Sequence, residues 1–92
     1  MWFLIPLLVL LIVVSVVKNI KNIKKETAIS YSKNINSYRD TAEFDKAIEE
    51  SKKFVEKAPE DYYAWALLGW SYFDKSDLTE AKKAIEKSLQ LY

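Results

Sequence analysis

Trp65-Ala66-Leu67-Leu68-Gly69-Trp70-Ser71-Tyr72 is the stretch on which the reading of the fold turns. Trp65, Leu68 and Tyr72 lie three and four residues apart, so they share one face of a helix. Gly69 is the single glycine of the chain. Inside a helix it costs about 1 kcal/mol relative to alanine, so its place there calls for a packing reason: with no side chain, it admits a second helix close to the backbone. Tyr63, Leu67, Trp70 and Phe73 populate much of the remaining circumference, and a helix apolar nearly all round is expected to be covered nearly all round.

Upstream, a shift of 34 residues aligns Tyr38 with Tyr72, Ala47 with Ala81, Tyr31 with Trp65, Phe44 with Leu78 and Val55 with Leu89. The upstream copy departs from the downstream one at Asn34 and Ile35, which stand where Leu68 and Gly69 recur, and at Ser51, which stands opposite Ile85. The spacing W-x2-L-G-x2-Y of Trp65, Leu68, Gly69 and Tyr72, followed by Ala81, resembles the tetratricopeptide repeat (TPR). Pro59 sits where that family often closes a repeat. The resemblance implies an all-α fold, a TPR-like α-α superhelix of about four helices. A degenerate first repeat would cover residues 28–61 and a good second one residues 62–92. Trp65, Leu68, Gly69, Tyr72 and Ala81 would be its repeat-packing residues.

Helices are expected near 27–39, 42–57, 61–75 and 78–91. Asp40-Thr41 reads as turn and N-cap of the second, Glu60 and Asp61 suit the start of the third, and Ser76-Asp77 starts the fourth. Tyr31, Ile35 and Tyr38 form the first apolar stripe. Phe44, Ala47, Ile48, Ser51, Phe54 and Val55 form the second inner face, and Leu78, Ala81, Ala84, Ile85 and Leu89 the fourth.

Residues 2–17, WFLIPLLVLLIVVSVV, carry no charge. As helix they span roughly 24 Å against a hydrocarbon core of roughly 30 Å. Ile20 and Ile23 can lengthen the apolar face while Lys18 and Lys21 snorkel. Trp2 suits the far interface, and Pro6 lies near the helix start, where a missing N–H costs little. A cleaved signal peptide would want basic residues ahead of the apolar run and a small-x-small site behind it. Neither is present, so residues 1–25 read as a single transmembrane anchor with a basic juxtamembrane segment, and residues 26–92 as the TPR-like domain.

Residues 1–25 carry a charge of +4 and residues 26–92 a charge of −3, which the net +1 conceals. Lys18, Lys21, Lys24 and Lys25 directly follow the span. They place the TPR domain in the cytoplasm and the N-terminus outside by the positive-inside rule, with reversed topology as the alternative. Topology and snorkelling account for these lysines at the membrane surface. Binding of anionic lipid, worth about 1 kcal/mol per lysine, is the functional alternative. A basic cluster pressed on a membrane beside an acidic domain argues against nucleic acid.

The chain has no His and no Cys. That removes the usual near-neutral base, the strongest common nucleophile, and the familiar zinc and iron–sulfur ligands. One glycine cannot make a phosphate loop. The pairs Glu49-Glu50 and Glu60-Asp61 are accounted for as solvated faces or helix starts. The expectation is a non-enzyme with no cofactor, no metal and no small-molecule substrate.

What remains is protein binding. The resemblance implies that Tyr63, Leu67, Trp70 and Phe73 face a concave groove that takes a peptide or helix, and aromatic anchors are favoured there. Without groove Lys, Arg and Asn, a clamp for C-terminal carboxylates is not expected. An apolar or amphipathic segment is the better ligand. Two roles fit: a membrane-anchored adaptor or scaffold, or a small accessory or assembly subunit of a larger membrane complex (respiratory, photosynthetic or secretion). Two repeats of about 65 residues lie near the lower limit for a self-sufficient core, so completion by a partner, a second copy or the membrane surface is expected.

Overall fold

The computed structural model describes residues 4–92; the side chains of Leu4, Ile5, Asn22 and Ile23 lie outside the described set, as does the interfacial position expected of Trp2. Four helices follow one another: α1 Leu4–Asp40, α2 Phe44–Lys57, α3 Tyr62–Asp74 and α4 Leu78–Leu91. No strand occurs among the described residues. The molecule measures 65 × 27 × 15 Å, and the long axis is set by α1, whose 37 residues correspond to about 55 Å of helix.

With neither Gly nor Pro between Leu7 and Ala58, nothing in the backbone chemistry interrupts α1, and it runs unbroken through the expected boundary at residue 25. Its first part is apolar, and the described side chains from Leu7 to Val17 are about half exposed, with no other helix against them. It is one helix long and apolar enough, by length and composition, to cross a membrane. Its last part turns Ile35 fully inward, with Ala28, Tyr31 and Tyr38 packed against the same core.

The core lies between α1, α2 and α3. Phe54 and Leu67 are its largest fully buried side chains after allowance for Ile35 on α1. Tyr31 stacks on Phe54 with ring centroids 5.3 Å apart and planes 9° from parallel. Ala47, Ile48, Ser51, Phe54 and Val55 form the buried face of α2, as its pattern predicts, while Phe44, expected with them, is only half-buried at its first turn. Ser51 and Ser71, both fully buried, meet at 3.3 Å between α2 and α3, and each hydroxyl also donates to the carbonyl four residues before it, at 2.7 Å. Among the described residues no buried side-chain polar atom lacks a partner.

The two tight turns are twins. Ala42 (φ 59°) and Ser76 (φ 70°) are left-handed and stand 34 residues apart. In the first turn Ala42 N–H donates to Arg39 O and Glu43 N–H to Tyr38 O; in the second Ser76 N–H donates to Phe73 O and Asp77 N–H to Tyr72 O. Both are Schellman caps, which ordinarily place glycine in the left-handed position. A non-glycine residue there is strained by about 1 kcal/mol. Ala42→Gly and Ser76→Gly should therefore each raise stability by about 0.5–1 kcal/mol, read as a shift of the denaturant midpoint at unchanged m.

The start of α2 corrects the expected cap. Asp40 is the last residue of α1, and the N-cap is Glu43, whose side chain makes no capping bond. Its carboxylate instead accepts from Lys46 Nζ at 2.9 Å and Thr41 Oγ1 at 2.8 Å. These bonds hold the Glu43 carboxyl below its usual range, Lys46 contributing most. Asp61, expected with Glu60 at the start of α3, and Asp77, expected with Ser76 at the start of α4, are the N-caps, accepting from Tyr63 N–H at 2.9 Å and Glu80 N–H at 3.3 Å.

Candidate protein-docking surface

α3 lies in the middle of the stack and meets α1, α2 and α4, which explains why its sequence is apolar over so much of its circumference. Trp65 donates from Nε1 to Pro59 O at 2.8 Å, fastening the α2–α3 connection. Leu68 is buried, and Tyr72 is half-buried against the core. Ala81 is buried on α4. Gly69 is the point of closest approach: a Cβ there would stand 2.6 Å from Ile85 Cδ1, 2.7 Å from Ile85 Cγ1 and 3.2 Å from Ala81 O. Ile85 thus occupies the space a side chain at 69 would need. Ser88 Oγ completes the α3–α4 seam by donating to Tyr62 O at 2.7 Å.

Of the four residues expected to face a groove, three are exposed: Tyr63 at 36%, Trp70 at 41% and Phe73 at 63%. Tyr63 and Trp70 meet edge to face, centroids 6.1 Å apart. Leu67 does not join them. It is fully buried because it falls on the same side of α3 as Ala64 and Ser71, toward α2. Its role is in the core, and the exposed set reduces to Tyr63, Trp70 and Phe73.

Two residues that the pattern did not single out shape this surface. The Arg39 guanidinium lies 5.6 Å from the centroid of the Trp70 ring, and its Nε donates to Asp74 Oδ2 at 2.6 Å. The ion pair joins the end of α1 to the end of α3 and leaves a cation over an aromatic face, worth about 0.5–1 kcal/mol when exposed. Arg39 is the sole arginine of the chain, and that singularity was the available signal. Beside it, Lys75 pairs with Asp45. This hydrogen bond raises the Lys75 pKa above its usual value.

The inner face of α4 is narrower than its pattern predicts. Ala81, Ala84 and Ser88 are buried and Ile85 is half-buried, but Leu78 and Leu89 are 62% and 69% exposed. Leu78 borders an open groove that it shares with Gly69, Trp70 and Phe73 of α3, and no further helix covers it among the described residues. Lys18, Lys21, Lys24 and Lys25 lie along α1 just past its apolar part, all exposed. Among the described residues no cluster of three or more His, Cys, Asp or Glu could hold a metal ion. Comparison with protein-family models, curated proteins and solved structures finds no match.

Proposed function

We propose that this chain is a non-enzymatic, membrane-anchored TPR protein that binds another protein at the membrane surface, as an adaptor or scaffold. The observation that carries the reading is the exposed aromatic surface of Tyr63, Trp70 and Phe73 with Arg39 beside it. Trp, Tyr and Arg are the residues that most often dominate binding energy. Here Tyr63 and Trp70 stand on a helix fixed from three sides and Arg39 is tied to its end by Asp74, so little ordering remains on binding. The TPR assignment is supported by the W-x2-L-G-x2-Y spacing and by twin caps 34 residues apart. The anchor is supported by the apolar, unpacked first part of α1, and the cytoplasmic placement of the domain by the lysines that follow it.

Trp70→Ala should weaken partner binding by about 2 kcal/mol, roughly thirtyfold in Kd, while leaving the unfolding midpoint nearly unchanged. The measurement is gentle-detergent purification of the tagged full-length chain, with mass spectrometry of what stays bound. Substoichiometric proteins lost with Trp70→Ala establish the adaptor; retention of all bound proteins by the variant removes this surface from the proposal.

An accessory subunit of a membrane complex is the second reading. The exposure of Leu78, Leu89 and Tyr92 along α4 favours it, because a permanent partner would cover apolar surface that is costly to leave in water. One stoichiometric set of integral membrane proteins in the same purification decides for it.

A further inference from the structure

The chain contains one groove that is filled and an equivalent one that is open. α3 lies across α1 and α2, and at the positions it covers Ile35, Ala47, Ile48 and Ser51 are all buried. Thirty-four residues on, the corresponding positions are Gly69, Ala81, Lys82 and Ile85. With Trp70, Phe73 and Leu78 they line an open groove of about 360 Å³ between α3 and α4. Lys82 is exposed there and Ile85 only half-buried.

We infer that the α3/α4 groove is a docking seat for a single α-helix of another protein, one that carries a carboxylate opposite Lys82. The inference rests on the protein-binding reading above and deepens it: Trp70 and Phe73 of that surface also line the seat, which extends it onto Leu78 and Lys82 of α4.

That the occupant is a helix follows from the molecule itself, since α3 fills the equivalent seat. α3 shows the pattern such a helix needs: Ala64, Leu67, Leu68 and Ser71, small and apolar residues at i, i+3, i+4 and i+7, are among the residues it buries. The wall of the open seat repeats with helical period, since Leu78, Ile85 and Leu89 are spaced by seven and four along α4. The 14 residues of α4 offer about 21 Å of such wall, close to four turns.

The charge requirement follows from the one position where the seats differ in kind. Ile48 is apolar and buried, whereas its counterpart Lys82 carries an ammonium whose ion-pair partner Glu86 is 3.9 Å away and itself exposed. A purely apolar helix would cover that charge without compensation, which costs more than a surface pair returns. A carboxylate on the incoming helix pairs it.

The test places a photo-crosslinking amino acid at Leu78 or Leu89 of the full chain in its native membranes, with Lys53 on the outer face of α2 as control, and identifies the crosslinked peptide by mass spectrometry. The expected product from Leu78 and Leu89, and not from Lys53, is one segment of another polypeptide with helical apolar spacing and an Asp or Glu on the docked face. Lys82→Glu should lower its yield about tenfold, and Lys in place of the partner's acid should restore it. Crosslinks to a second copy, to another part of the same chain or to lipid overturn the proposal, as does a yield indifferent to Lys82→Glu. Crosslinks from Tyr63 but not from Leu78 or Leu89 overturn it while sparing the adaptor reading; no protein crosslink from any position overturns both.

Discussion

Phe54→Ala should unfold the helical stack. Phe54 is 1% exposed, stacks on Tyr31 and fills the space between α1 and α2. Truncation of a buried Phe costs about 3–5 kcal/mol, in lost burial and in the cavity left behind. A domain of about 65 residues has roughly 3–10 kcal/mol to lose, so the variant stands at or below its folding threshold. In detergent, the near-ultraviolet circular dichroism of the aromatic residues should disappear. The far-ultraviolet helical signal should fall only in part, because no other helix packs on the apolar first part of α1 and its helix does not depend on the stack. A native near-ultraviolet spectrum at 25 °C would show that α2 is held to α1 by something other than this ring.

Leu67→Ala should act in the same way, and it separates core from surface on a single helix. Leu67 is fully buried beside Ala64 and Ser71, so its truncation should cost about 2–5 kcal/mol of stability. Trp70, three residues on, is 41% exposed, and its truncation is expected to leave the fold in place. Parallel denaturant titrations of the two variants, alongside their partner binding, read the difference directly. If Leu67→Ala kept the parent midpoint, α3 would have to be rotated about its axis from the orientation described.

The contrast marks where sequence stopped being informative. α3 is apolar on nearly every side, so its periodicity announced burial without saying which arc faces which neighbour. Leu67 and Trp70 look alike in such a helix, and only the positions of α2 and α4 distinguish them. The same ambiguity reversed Leu78 and Leu89, whose spacing suits an inner face but which no further helix covers among the described residues. Gly69 was legible because a helical glycine has few explanations, and Ile85 against it supplies the one expected. The mismatched upstream copy also resolves into a rule. Ile35 and Ser51 stand where Gly69 and Ile85 recur, so each copy places one large and one small residue at that pair of positions and merely exchanges them. The turns were placed correctly within two or three residues, but Ala42 and Ser76 gave no sign of left-handed backbone, because neither is glycine or asparagine.

The continuity of α1 makes residue count into an angle. With no break between its apolar part and the residues that pack on α2, each residue fixes about 100° of azimuth and 1.5 Å of height. One residue inserted among Lys21–Lys25 would swing the aromatic surface about 100° around the axis of α1, relative to its apolar part, while lifting it hardly at all. Seven would return it to within about 20° of its first heading, some 10 Å higher. The compass bearing of the aromatic surface, relative to the apolar part of α1, is thus written in the length of the segment that joins them.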